Sequence, residues 1–377
     1  MMKKRCILAV VSGLLLAGFS LQGQTYSFTT VCQNEATPVK DQDRTGTCWC
    51  FSTVSFLESE LIRTGKGVHD LSEMFVVRQN YNNRIEDNYL RHGKGNISEG
   101  SIFHMALKAI GQKGIVPEAA YTGLTYDRQS HNHGQMTAYL RAVAETAIEL
   151  KDRSQAGRDL QQALFDIYLG ELPKEFEYQG KTYTPESFWD ALGLDLNDYI
   201  EVTSFSHHPF YQEIPVEIPD NWDHERMYNV PLDELVAITN HALENGYTVG
   251  WDGDVSEAGY SAFYRKGYTL NPKDKSLDAK TLSQMEGRIE EEEVTQESRQ
   301  ATFEVFTTTD DHLEHIVGIA TDQYGTRYYI TKNSWNTDCN ETGGFHNISE
   351  SYFRGKTISI LVHKKALPKD IRKKLGL

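Results

Sequence analysis

Gln42-Asp43-Arg44-Thr45-Gly46-Thr47-Cys48-Trp49-Cys50-Phe51-Ser52-Thr53-Val54 is the stretch on which the reading of this chain turns. Residues 25–47 read as an extended lead-in. From Cys48 onward, Cys50, Val54, Leu57 and Leu61 recur at helical spacing, and Gly65 follows Arg63-Thr64 as a stop signal. A thiol at a helix start faces unpaired backbone N–H groups and the positive end of the helix dipole. Both favour thiolate, the nucleophilic form. A cysteine there is also compatible with an inert buried thiol, so a nucleophile needs a base elsewhere in the chain.

The end of the chain offers one. His315-Ile316-Val317-Gly318-Ile319-Ala320 reads as a strand, Asp322-Gln323-Tyr324-Gly325-Thr326 as a turn, and Arg327-Tyr328-Tyr329-Ile330-Thr331 as the returning strand. With the turn centred near Tyr324, cross-strand partner numbers sum to about 648. That places Asn333 opposite His315, with Cβ atoms about 5 Å apart. An asparagine beside a histidine can accept from one ring N–H and aim the other nitrogen at a thiol.

Between these ends, helices are expected at Leu71 to about Asn83 (opened by Asp70 or Ser72), Ser101–Gly111, Met136 to about Ile148, Leu160–Leu169 and Leu232–Glu244. Tyr247–Trp251 reads as a buried strand, 276–300 as a charged helix or loop, and Ile358–Val362 as a late strand. Helices come first and strands last, which suggests an α+β fold. The divisions drawn are 1–24, a helical half 25–124, a largely helical insertion 125–230, and a β-rich half 231–377.

The net charge of −15 argues against nucleic-acid binding. Lys3, Lys4 and Arg5, the apolar run Ile7–Phe19 and the polar stretch to Gln24 form the three-part pattern of a secretory signal peptide. The apolar run is too short to span a bilayer comfortably, so no stable membrane anchor is expected and the protein is read as exported. The five cysteines are no disulfide framework for a chain of 377 residues, although a bridge from Cys32 to Cys339 or Cys50 stays open. His207-His208 and His131-x-His133 lack evident cysteine or paired carboxylate ligands nearby, so neither a metal nor a cofactor is expected.

Taken together, Thr37-Pro38-Val39-Lys40-Asp41-Gln42, then Cys48-Trp49-Cys50-Phe51-Ser52, Asp70-Leu71-Ser72-Glu73, His315, Asn333-Ser334-Trp335 and Gly343-Gly344-Phe345 resemble, in order, the motifs of the papain-like cysteine peptidases (peptidase family C1). The resemblance is strongest to the bleomycin hydrolase and bacterial aminopeptidase C branch. The 267 residues from Cys48 to His315, the Trp251-Asp252-Gly253-Asp254-Val255 segment and Thr45 in place of a cysteine point there.

The resemblance implies a cleft between a helical and a sheet half, and hydrolysis of peptides or proteins through an acyl-enzyme on Cys48. His315 would be general base and acid, and Asn333 would orient it. Gln42 would donate to the oxyanion, and Trp335 would shield the His–Asn hydrogen bond beside the substrate. Gly100 matches a glycine pair that binds substrate backbone in the family; Glu99 replaces its partner and could narrow the cleft or attract an amine. The family's cleft-filling C-terminal arm is not apparent at Lys373-Lys374-Leu375-Gly376-Leu377. Endopeptidase action therefore stays open beside aminopeptidase action, as do a non-catalytic binding protein on the same scaffold, a cell-wall cysteine amidase and a homo-oligomeric assembly.

Overall fold

A helix running Cys48–Arg63 is the spine of the molecule. It is buried all round from Cys48 to Leu61, Glu58 and Glu60 included. A helix covered on every side must satisfy its polar residues internally. Glu58 does so by accepting from the Thr37 hydroxyl at 2.5 Å and the Leu71 N–H at 2.8 Å.

The computed structural model describes residues 26–377; the expected signal segment 1–24 lies outside them. In chain order the elements are β1 (Phe28–Gln33), α1 (Cys48–Arg63), α2 (Glu73–Leu90), α3 (Phe103–Lys113), α4 (Gly134–Leu150), α5 (Gln155–Leu169), β2 (Phe176–Tyr178), β3 (Lys181–Tyr183), α6 (Pro185–Leu192), β4 (Tyr199–Thr203), β5 (Gln212–Pro215), β6 (Arg226–Asn229), α7 (Leu232–Glu244), β7 (Val249–Gly253), α8 (Ala258–Phe263), β8 (Tyr268–Thr269), α9 (Ala279–Gln284), α10 (Gln296–Glu304), β9 (His312–Asp322), β10 (Arg327–Lys332), β11 (Phe345–Ser349), α11 (Glu350–Lys356), β12 (Thr357–His363) and α12 (Lys369–Lys374).

The fold is α+β. Helices α1–α3 gather one apolar core around Trp49, Phe56 and Phe103. The sheet runs β5-β6-β4-β12-β7-β9-β10-β11-β8, with β1 also paired to β9. Its far face packs Trp251, Tyr329 and Phe353 against α7, α11 and α12. The basic C-terminal helix docks there through buried Ile371 and Leu375. Among the described residues no helix is long and apolar enough to cross a membrane.

Local signals explain the helix ends. Ser72 caps α2 by accepting from the Phe75 N–H at 3.1 Å. Gly114 ends α3 at φ +70°, where a side chain would also run into the Pro185 carbonyl. Residues 125–230 are less helical and less separate than the sequence suggested. They supply α4–α6, but β4 also pairs with β12, and β6 and β5 follow it, so this segment extends the sheet.

The hairpin of β9 and β10 departs from its expected register midway. Arg327↔Thr321 through Ile330↔Gly318 keep the simple pairing; then Thr331 faces Ile316 and Lys332 faces His315. Val317 is the extra residue of a bulge. It lies where the other neighbour of β9 changes from β1, along 318–322, to β7, along 312–316. Its carbonyl turns to the Asn34 N–H at 2.8 Å. A slip of one residue exchanges the two faces of a strand. His315 is thereby put opposite Lys332 instead of Asn333, and His312 and Glu314 take the Asn333 side.

Candidate active site

Cys48 stands at the first turn of α1 against the start of β9. The backbone N–H of Leu313 points at its sulfur. Further along the helix, Ser52 donates to the Glu314 carbonyl at 2.6 Å and Ser55 meets His315. The helix thus lies along the strand, and its N-terminus reaches the residues beside His312.

His312 holds the position expected for His315. Its Nε2 lies 2.8 Å from Asn333 Oδ1. An amide oxygen only accepts, so Nε2 carries the proton and Nδ1 is the basic nitrogen. Trp335 stacks on the imidazole, with centroids 4.5 Å apart and planes at 29°. The Asn333 amide is fixed from behind: Nδ2 donates to Glu314 Oε1 (3.0 Å), Tyr264 (3.0 Å) and Tyr260 (3.1 Å). Glu314 in turn accepts from the Tyr260 hydroxyl at 2.7 Å and pairs with His346 Nε2 at 2.5 Å. Burial would raise the Glu314 carboxyl, but the neighbouring His346 and His312 hold it below its usual range.

His315 is brought to a different place. It is 1% exposed, its Nδ1 lies 2.8 Å from the Ser55 hydroxyl, and Lys332 Nζ reaches the same hydroxyl at 2.8 Å. Its Nε2 is buried without a partner. Burial, and then the Lys332 charge, push its basicity far below that of a free imidazole. The assignment of His315 as partner of Asn333 is therefore corrected to His312. The register slip at Val317 is the cause.

Gln42 is joined to the same wall. Its N–H donates to the Ser334 carbonyl at 2.9 Å, and its Oε1 accepts from the Ser334 hydroxyl at 2.7 Å. Nε2 donates one hydrogen to the Thr45 carbonyl at 2.7 Å, leaving its second hydrogen for an oxyanion. Glu99 is committed to the loop before the nucleophile. Its carboxylate accepts from the Gly46 N–H (2.8 Å) and Thr137 (2.7 Å), and its carbonyl accepts from Trp49 Nε1 (2.9 Å). Gly100 follows it directly, and its carbonyl accepts from buried Arg84.

Burial pushes the Cys48 thiol up to about 12, against the pull of the Leu313 and Trp49 N–H groups, and the charges of Asp310 and Asp220 push the same way. Burial also lowers His312, with Glu314 and Asn333 opposing. The N–H groups at the helix start thus favour the thiolate, as the sequence reading has it, and burial opposes them. The arrangement can pass a proton from the thiol to the imidazole.

The four described cysteines are all free, so neither bridge left open for Cys32 forms. Among the described residues, His207, His208 and Glu217 bring ligand atoms within 4.8 Å of one another. Gln300 Nε2 donates to His207 Nδ1 at 2.9 Å, which leaves the His207 proton on Nε2, where Glu217 accepts it at 3.0 Å. The group is satisfied as hydrogen bonds.

Residues 72–376 match the model of the peptidase C1-like family. Aminopeptidase G of Lactobacillus delbrueckii subsp. lactis is 25% identical, over 88% of this chain and 82% of its own. Aminopeptidase W of the same organism is 25% identical, over 96% and 89%. The crystal structure of PepW from Lactobacillus rhamnosis HN001 superposes with a TM-score of 0.70 at 18% identity, covering 92% of this chain and 84% of that one. With the matched segment spanning most of its length, the chain belongs to the peptidase C1-like family, and it is a papain-like cysteine peptidase.

Proposed function

We propose that this peptidase removes residues from the amino termini of peptides, with Cys48 as nucleophile and His312 as its base. The observation that carries the chemistry is the His312–Asn333 hydrogen bond under Trp335, next to a thiol at a helix start. His312 Nδ1 takes the Cys48 proton as sulfur attacks the carbonyl, and returns it to the leaving amine. The Cys48 N–H and the second hydrogen of Gln42 Nε2 receive the oxyanion. Water then enters on the same base and releases the acid.

The amino-terminal preference is supported by relatives that are aminopeptidases, of which this chain covers 82% and 89%. We place the enzyme outside the cytoplasm on the signal-like pattern of residues 1–24; amino-terminal sequencing of the protein from its own cells would then start near Thr25. The activity is tested with Cys48→Ala and a peptide library of free and blocked amino termini. Stepwise loss from free amino termini that disappears in the variant is expected. Undiminished hydrolysis by the variant, or wild-type cleavage at internal bonds of blocked peptides, would contradict it.

A further inference from the structure

Glu314 follows His312 by two residues on β9, so the two side chains share one face of the strand. The carboxylate ends up behind the His312–Asn333 pair. Its Oε1 lies 3.7 Å from His312 Nε2, and accepts from Asn333 Nδ2 at 3.0 Å and from the Tyr260 hydroxyl at 2.7 Å. Its Oε2 lies 2.5 Å from Nε2 of His346 on β11, and both of these side chains are fully buried. A buried carboxylate persists as an anion only with donors and a cation around it. The donors to Glu314 are Asn333, Tyr260 and His346. Its ion-pair partners are both histidines: His346, and the base His312 itself.

The first consequence is orientation. An ionised carboxylate only accepts, so the Asn333 amide must turn Nδ2 toward it and Oδ1 away. Oδ1 then accepts from His312 Nε2 at 2.8 Å and from the Ser334 N–H at 2.6 Å. Through Asn333, Glu314 thus keeps the His312 proton on Nε2 and leaves Nδ1 as the base.

The second consequence is charge. His312 becomes an imidazolium when it takes the Cys48 proton. Burial lowers its basicity; the Glu314 charge raises it, and His346 lowers it again. Asp311, just before His312, is engaged by the Ser256 N–H at 3.1 Å and the Thr309 hydroxyl at 2.8 Å. The other titratable groups facing Glu314 are Tyr260 on α8, Tyr264 just after it and Tyr352 on α11, and burial keeps their hydroxyls neutral. Cys339 lies one step further out, 3.1 Å from the Tyr264 hydroxyl.

We propose that Glu314 and His346 form a buried positioning pair for His312: Glu314 turns Asn333 and supplies the negative charge that the imidazolium needs, and His346 holds part of that charge back. This rests on the assignment of His312 as base. Thiol and imidazole exchange one proton; Glu314 takes none. Its charge is shared between His346 at one oxygen and His312 beside the other. The working site is then Cys48, His312 and Asn333 with a carboxylate behind them, and does not rely on the amide alone.

Glu314→Gln and His346→Gln test this with shifts of opposite sign. Glutamine at 314 keeps the shape and can keep the hydrogen bonds, but carries no charge. The readout is the pH profile of kcat/KM for leucyl-aminomethylcoumarin, per thiol titrated with E-64. Its alkaline limb reports loss of the imidazolium proton. In Glu314→Gln that limb should move down by about one pH unit or more, the shift expected when an opposite charge within about 6 Å is removed. In His346→Gln it should move up, because His312 then no longer shares Glu314 with a second histidine. Inactivation by iodoacetamide at neutral pH, without substrate, should slow several-fold in Glu314→Gln, since the imidazolium that accompanies the thiolate is less supported. A pair that only packs the site would lower the height of the profile and leave its limb in place. An unmoved limb in Glu314→Gln, or limbs that move the same way in both variants, overturns the proposal. Should Glu314→Gln fail to fold, a limb that moves down in His346→Gln overturns it alone. His312→Gln is measured beside them. Full activity there overturns the base assignment and the proposal with it, whereas an unmoved limb in an enzyme that needs His312 overturns the positioning pair only.

Discussion

His312 and His315 lie three residues apart on one strand, and their surroundings share almost nothing. His312 has an amide oxygen on one nitrogen, an indole on its face and a thiol helix close by. His315 has a hydroxyl on one nitrogen, nothing on the other, and an ammonium group behind the hydroxyl. The first can accept a proton and place the resulting charge beside Glu314 through Asn333. The second would have to become charged next to Lys332, in a fully buried pocket. A side chain's chemistry here depends on the face it occupies, and the face is set by a single bulged residue.

The comparison can be broken by substitution. His312→Gln removes the base and is expected to lower kcat/KM by about 10³-fold, within the range for general-base loss. Asn333→Ala frees the imidazole to turn and leaves Nε2 unmatched. A loss of about 10²-fold is expected, mainly in kcat, as misplacement of a catalytic group costs that much. Retained turnover in either variant would mean that the hydrogen-bonded pair is not the working one.

A third buried histidine sharpens the contrast, because its work is structural. His104 on α3 lies between Glu201 (2.8 Å) and Asp223 (3.0 Å). Burial lowers its basicity, but these two carboxylates outweigh burial and raise it to about 9 from 6.5. A pKa raised in the folded state gives stability that is complete below 6.5 and is lost as pH rises through 9. A rise from 6.5 to about 9 corresponds to about 3 kcal/mol in all. The wild type should therefore lose stability to urea between pH 6.5 and 9, and His104→Gln should show a flatter profile there. Parallel profiles would remove His104 from the account. The smallest effect is expected for His315→Gln. The amide can keep the Ser55 contact, so kcat/KM should stay within about threefold while stability falls by about 1–2 kcal/mol.

Much of this was legible in the sequence. The helix at Cys48 follows from its apolar spacing and glycine stop, α2 from Ser72, and the hairpin from two apolar runs around Tyr324-Gly325. Gln42, Asn333 and Trp335 are found beside the site as the motif order implied. The histidine was not legible, because simple counting across a hairpin assumes an unbroken ladder. Nothing in Ile316-Val317-Gly318 announces a bulge. It arises where β9 leaves β1 and joins β7, strands far apart in sequence. One signal was available: with His312, Glu314 and Ile316 alternating on one face, His312 and His315 could not share a face, so both needed testing against Asn333. Asp220 was hidden for a similar reason. It belongs to a segment read as a separate insertion, yet folds back over Gly100.

The most direct test of the central claim is a side-by-side measurement of kcat/KM for His312→Gln and His315→Gln on one peptide substrate, normalised to thiol titrated with E-64. The account predicts a loss of about 10³-fold for the first and less than about threefold for the second. The reverse order, with His312→Gln active and His315→Gln inert at equal titratable thiol, would contradict it.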